Sequence, residues 1–259
     1  NQELYDRMNI SVENIVAQNC NHIRSFIDVD STVGLMCVKS AVKLQNNWKN
    51  KGVHIQLATQ PLEGLAGKDA NIKLFEEAAD LCDIVGCLPS RDFDKSEEHL
   101  DIAFSTAKRL NKHVEAHLDQ CNLPSENETS LFCDFVEKYD YRGKARTVHS
   151  ISLACQPLDR QQEIATRLAL LNVGVIICPS AAISMKQDSE QYAPIHNSIA
   201  PLKILLDYGV DVGLGIDNIN DIFMPYCDGN LTFELRSLAE ATRTYDINIL
   251  EKIATNKLG

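Results

Sequence analysis

The chain has 259 residues, 44% hydrophobic and 24% charged, with a formal net charge of −11. This is ordinary globular composition, long enough to bury a core without staples, and its acidic balance argues against a nucleic-acid or anionic-membrane surface. No apolar run approaches the ~18 residues of a membrane span, and the opening NQELYDRMNI is too polar and acidic for a signal peptide.

Residues 1–18 (ELYDRM, then VENIVAQN) predict a helix with no strand before it. Seven β-rich apolar runs follow: HIRSFIDVD (22–30), VHIQLAT (53–59), DIVGCLP (83–89), HVEAHLD (113–119), ARTVHS (145–150), VGVIICP (173–179) and VDVGLGID (210–217). Their spacing of about 30 residues is that of one βα unit. The intervening segments AVKLQNNWKN, IKLFEEAADL, HLDIAFSTAKRL, ETSLFCDFVEKY, RQQEIATRLALL and APLKILLDYG, and FELRSLAEATR after the last strand, carry apolar residues at helical spacing. Asp69, Ser96, Ser125, Asp159 and Asn197 stand where helix caps are expected. No linker or charge block divides the chain, so a single domain over 1–259 is expected.

Repeated βα units predict an α/β fold with a parallel sheet covered by helices. A doubly wound sheet would normally place a Gly-rich phosphate turn after an early strand. None is present, and the G-x-G at Gly213 and Gly215 lacks its third glycine. The unpartnered first helix instead suggests a strand upstream of residue 1, hence a (β/α)8 TIM-type barrel with its first strand missing from this sequence. Nine scattered cysteines without a C-x-x-C predict reduced thiols and a cytoplasmic protein; a zinc-thiolate pair at Cys82 and Cys87 is the weaker alternative.

Barrel chemistry sits at the C-terminal ends of the strands. That rule sorts the seven histidines. His22, His54 and His113 open their strands, His99 lies on a helix and His196 in a loop. Only His117 and His149 stand at strand tops, where Asp217 also ends the last strand. Two imidazoles and a carboxylate at one rim suit zinc or iron.

With these residues in place, the chain resembles the amidohydrolase superfamily, most closely its cytosine deaminase-like branch. HIRSFIDVD is similar to the second-strand Arg-(Ser/Thr)-His-Val-Asp, TQPLEGL to the third-strand Pro-Gln-Glu-Gly, and AHLDQ to the fifth-strand His-x-Asp-Glu. RTVHSISLA resembles the sixth-strand His motif, VIICPSAAI the seventh-strand Pro-x-x-Asn, and VGLGIDNINDIFMPYCDGNL the eighth-strand Gly-x-Asp with its following segment. The resemblance implies that His117 and Asp217 are metal ligands, Asp217 also a proton shuttle, and that His149 orients water or substrate beside the metal. The family's first-strand His-x-His and terminal β-sandwich are not in the sequence. One divalent zinc or iron is therefore expected in the full-length protein, held weakly or not at all by this chain.

The departures bear on the substrate. The branch's catalytic Glu falls at Gln120, its second-strand His at Phe26, its substrate-contacting Gln at Leu62, and its fourth-strand His at Ser90 or Arg91. An amide cannot cycle a proton. Gln60, Glu63, Arg91 and Asp119 remain as substrate-binding candidates, with Gln120 in the catalytic position. The expected function is a metal-dependent hydrolase of C–N bonds in a small cyclic or amide substrate other than cytosine. The alternative is a catalytically inactive barrel that binds a ligand or a protein. A small-molecule substrate, no nucleic acid and no membrane are the expected partners, with a homo-oligomer left open.

Overall fold

The computed structural model describes residues 2–184 and 199–256. Contacts group the chain into two compact units, Asn1–Ala116 and His117–Gly259. The first holds α1 (Gln2–Val16), β1 (His22–Asp28), α2 (Met36–Lys49), β2 (His54–Gln60), α3 (Asp69–Leu81), β3 (Ile84–Cys87) and α4 (Ser96–Leu110). A tight 3-10 turn, Pro89–Lys95, joins β3 to α4. Strand β4 (His113–Leu118) begins in this unit and ends in the next.

Pairing in the first unit is parallel and in chain order, with β1 against β2 from His22↔His54 to Asp28↔Gln60 and β3 against β4 from Ile84↔His113 to Cys87↔Ala116. All four residues of β3 are buried, as in a parallel sheet covered on both faces. Phe75, Phe104, Leu57 and Leu100 fill the core beneath the helices. Gly86 is the one residue type that fits its place: a Cβ there would lie 2.1 Å from the Thr59 carbonyl oxygen and 2.8 Å from the Phe26 ring. Arg24 and Glu115 form a buried ion pair, and Arg24 Nη2 donates to Gln56 Oε1 at 2.7 Å. Helix α1 is pinned to α2 where Trp48 Nε1 donates to Asn9 Oδ1 at 2.9 Å.

The second unit continues with α5 (Glu128–Tyr139), β5 (Ala145–His149), α6 (Leu158–Leu170), β6 (Gly174–Ile177), α7 (Pro179–Ser184), α8 (Leu202–Asp207), β7 (Val212–Leu214), α9 (Leu231–Thr242) and α10 (Ile247–Ala254). Strand β6 pairs in parallel with β5 (Val148↔Ile176) and with β7 (Ile177↔Leu214). Phe132, Ile151, Leu168 and Ile177 are fully buried. Beyond β7, Asn256 Nδ2 donates to Asp211 Oδ1 at 2.8 Å and to the Val212 carbonyl at 2.9 Å.

All seven expected strands form, six inside their predicted runs and β2 one residue past its run at Gln60; the expected helices keep their order, with α7 and α10 added. The expected caps do not. Helix α3 follows Lys68, α4 follows Lys95, α5 follows Asn127 and α6 follows Pro157, none with a side-chain cap bond. Asp69 and Ser96 are the first helical residues instead, where their oxygens are past the capping position. Side-chain caps form at Asn230 and Asp246, which open α9 and α10. Asn197 and His196 lie outside the described residues. All nine cysteines are free thiols, and Cys82 and Cys87 belong to no metal-type cluster among the described residues.

Candidate metal centre

Three segments of the second unit leave the sheet with left-handed backbone. Asp119 follows β4 (φ 50°), His149 ends β5 (φ 75°) with Ser150 after it (φ 50°), and Asp217 follows β7 (φ 71°). Such a conformation costs a non-glycine residue about 1–2 kcal/mol. It persists only where surrounding bonds over-determine it, and such positions cluster at functional sites.

The ligating atoms of His117, His149 and Asp217 lie within 4.8 Å of one another, the one such cluster among the described residues. The two imidazole centroids are 5.2 Å apart with their planes tilted by 53°. His117 and His149 are 6% and 2% exposed. Burial, and then the neighbouring His149, hold His117 well below the ordinary histidine range. Burial lowers His149 to about 4. Both rings are therefore neutral at neutral pH, the state a metal ligand requires. His149 Nδ1 is buried with no hydrogen-bond partner among the described residues. Asp217 presents surface to solvent, yet protein atoms crowd its carboxyl. Burial, then Asp221 and Glu234, raise it to about 6.

These features fit a divalent cation. Neutral imidazoles offer lone pairs, one buried nitrogen lacks a partner, and a carboxylate sits in the field of two other acids. The donor set suits zinc and iron alike.

The other candidates take other places. Asp119 is buried and its carboxylate accepts from the Glu128 and Thr129 amides at 2.7 and 3.1 Å, while its own amide donates to Glu128 Oε2 at 2.9 Å. These reciprocal bonds tie Asp119 to the first two amides of α5. Burial raises both carboxyls, Glu128 to about 8. Gln120 is half-buried just beyond Asp119.

In the first unit, Gln60 ends β2 with its Oε1 buried and unpartnered among the described residues. Glu63 accepts from Ser31 Oγ and Thr32 Oγ1, both at 2.6 Å, and those bonds lower its pKa. Arg91 is exposed on the 3-10 turn.

Two groups escaped sequence reasoning. Glu234, 1% exposed on α9, accepts from the Ser180 amide at 3.0 Å and holds the start of α7. Ser150, Thr129 and Thr147 form a buried hydroxyl chain behind His149, with Ser150 Oγ donating to Thr147 Oγ1 at 3.0 Å and lying 3.2 Å from Thr129 Oγ1. The serine directly after a strand-end histidine was the available signal.

No protein-family profile matches the chain. It is 28% identical over 202 residues to an uncharacterized Haemophilus influenzae protein, covering 77% of this chain and 72% of that one. It is 21% identical over 242 residues to the N-isopropylammelide isopropyl amidohydrolase of Pseudomonas sp. strain ADP, covering 91% of this chain and 56% of that protein. The solved structure of a Klebsiella pneumoniae 5-methylcytosine deaminase liganded with 5-fluorocytosine superposes with a TM-score of 0.89 at 16% identity, over 96% of this chain and 61% of that one. An amidohydrolase from Burkholderia ambifaria with bound zinc superposes with a TM-score of 0.68 at 12% identity, over 96% of this chain and 65% of that one. The chain thus has the α/β barrel-type fold of these amidohydrolases, as expected, and spans about three fifths of the length of the first solved neighbour.

Proposed function

We propose that this chain is part of a metal-dependent hydrolase that cleaves a C–N bond in a small cyclic or amide substrate. One observation carries the reading: the convergence of His117, His149 and Asp217 within 4.8 Å, beside left-handed strand exits. Relatives named for a deaminase and an amidohydrolase support it.

In this reading His117 and Asp217 hold the ion, and His149 stands beside it. A divalent ion there supplies Lewis acidity and lowers the proton affinity of nearby water. The chain's own residues do the rest. Asp217 has a second carboxylate oxygen to turn toward the water beside the ion, and is suited to take and return a proton there. Neutral His149 offers a nitrogen to orient water or the substrate's polar group. Gln120 can donate and accept hydrogen bonds but cannot carry a proton, so cytosine is not the substrate. Gln60, Glu63 and Arg91 are retained as substrate contacts, and the protein is placed in the cytoplasm.

The test is steady-state hydrolysis of a panel of cyclic amides and amino-substituted heterocycles, with zinc or iron in excess. Turnover that depends on metal and disappears in His117→Ala and Asp217→Asn supports the reading. The same result in the absence of metal, or unaltered turnover in both variants, sinks it. Gln120 also favours a second reading, a barrel that binds such a ligand without turning it over. Tight ligand binding without hydrolysis by metal-replete protein would establish that alternative.

A further inference from the structure

Nothing in a βα repeat requires the chain to leave β5 through two consecutive left-handed residues, yet His149 and Ser150 both do so. Four bonds hold them. The Ser150 amide donates to the Leu118 carbonyl at 3.0 Å, one residue beyond His117. The Ser152 amide donates to the Asp119 carbonyl at 2.9 Å. Ser150 Oγ bonds Thr147 Oγ1 inside β5 and Thr129 Oγ1 at the start of α5. Thr129 is fixed in turn, because its amide donates to Asp119 Oδ2 at 3.1 Å. A closed circuit results, running from Asp119 through Thr129 to Ser150 and back to β4. Thr129, Thr147 and Ser150 are all fully buried, so no water can stand in for a missing hydroxyl without opening the core.

We propose that Thr129 and Ser150 are positioning residues that fix the His149 ring against His117, with the N-terminus of α5 as their common anchor. The inference rests on reading the histidine cluster as a metal centre, although the residues argued here touch no metal. The circuit joins the two segments that bear the histidines, and it ends on the strained backbone that aims one of them. A structural role alone would lower stability and leave the rings of the folded protein where they are.

The test pairs Thr129→Val, which keeps shape and loses the hydroxyl, with Thr129→Ser, which keeps the hydroxyl. Ser150→Ala is examined beside them. In metal-free protein the wild-type rings, 5.2 Å apart, should give an NMR cross-relaxation peak between His117 and His149 ring protons. That peak should weaken or vanish in folded Thr129→Val and Ser150→Ala and return in Thr129→Ser. Zinc affinity by calorimetry should fall by about 10-fold in the first two, the lower end of the range for a lost partner behind a ligand, because Ser150 also ties the segment that bears His117, and recover in the third. An unchanged peak with unchanged affinity in Thr129→Val overturns the inference. Zinc uptake that is the same in wild type, His117→Ala and Asp217→Asn defeats the metal-centre reading instead, and the cross-peak still decides this one. Should Ser150→Ala fail to fold, the two Thr129 variants carry the comparison.

Discussion

Among the described residues, each unit sets buried histidine beside a carboxylate, Asp92 in the first and Asp217 in the second, and their chemistry differs. In the first unit the His99 ring is fully buried and both its nitrogens are used. Nδ1 meets Asp92 Oδ2 at 2.7 Å and Nε2 accepts from the Leu88 amide at 3.1 Å. Asp92 also accepts from the Leu65 and Ala66 amides at 2.6 and 3.0 Å and pairs with Lys68 at 3.0 Å. Burial pushes the Asp92 carboxyl up, but the bonds from His99, Ala66, Leu65 and Lys68 outweigh it and hold the group well below the usual range. In the second unit, His149 Nδ1 is buried without a partner among the described residues, and Asp217 is raised rather than lowered. A histidine whose nitrogens are already bonded acts as a strut. One with a lone pair in reserve, beside a carboxylate kept from easy ionisation, is prepared for a ligand.

The sharpest way to break this comparison is to delete one member from each grouping. Asp217→Asn should lower catalysis by about 10²–10⁴-fold, the usual loss on removing a general acid–base, while the metal-free protein stays folded. Steady-state rates and thermal melts of the same sample check both halves. Asp92→Ala should do the reverse. It strands the His99 ring and two amides, and a buried polar group left without its partner costs about 1–3 kcal/mol of stability. Denaturant unfolding measures that loss, and zinc affinity of the folded fraction should stay unaltered. Loss of zinc binding in Asp92→Ala would erase the distinction.

A smaller effect separates the two groupings by pH. His149 is lowered from 6.5 to about 4 in the folded protein, and His117 is lowered too. The unfolded chain therefore takes up protons that the folded one refuses, and stability present above pH ~6.5 is lost as pH falls toward ~4. Asp217 acts in the opposite sense: raised from 3.8 to about 6, its contribution is complete below its ordinary value and lost as pH rises through 6. Asp119 and Glu128, the latter raised to about 8, act in the same sense as Asp217 and offset the imidazoles, so the histidine contribution is read against His149→Gln, which lacks it. Asp92, lowered, gives up its contribution only below its ordinary 3.8. Amide exchange near β5 in metal-free protein should thus gain more protection from the His149→Gln change at pH ~4 than at pH ~7, while exchange around Leu65 and Ala66 stays the same in both proteins. An identical pH response of the two proteins near β5 would refute the assignment.

The smallest expected change is Gln120→Glu. It puts a carboxyl where the resemblance places the family's catalytic Glu, but Phe26 packs close to Gly86 where the resemblance expects a histidine, and Leu62 stands in place of an amide. Cytosine deamination by metal-replete protein should rise only slightly. Efficient wild-type turnover of cytosine would show that another group carries the proton.

The strand tops were legible in the sequence because burial writes apolar runs, and the polar residue that ends each run stands out. His117, His149 and Asp217 were found in that way. The capping pattern misled because a cap depends on where the helix starts to within one residue, and Asp69 and Ser96 fell just inside. The reciprocal bonds of Asp119 with Glu128 were not legible, because the two residues stand nine positions apart, a separation no local pattern encodes. The hydroxyl chain and the Asp92 latch were hidden for the same reason. Their members come from separate βα units, and serine and threonine carry no periodic signature.

The small clasp at Asn256 has a consequence for local unfolding. Strand β7 is three residues long, and Asp217 follows three residues after it. Asn256 takes the Val212 carbonyl and holds Asp211 beside it, so α10 is tied to the strand that delivers the carboxylate of the histidine cluster. Helix α10 seats Leu250 and Ile253 in the core. Fraying of this helix would free the base of β7 and let Asp217 drift from the imidazoles before the core loosens.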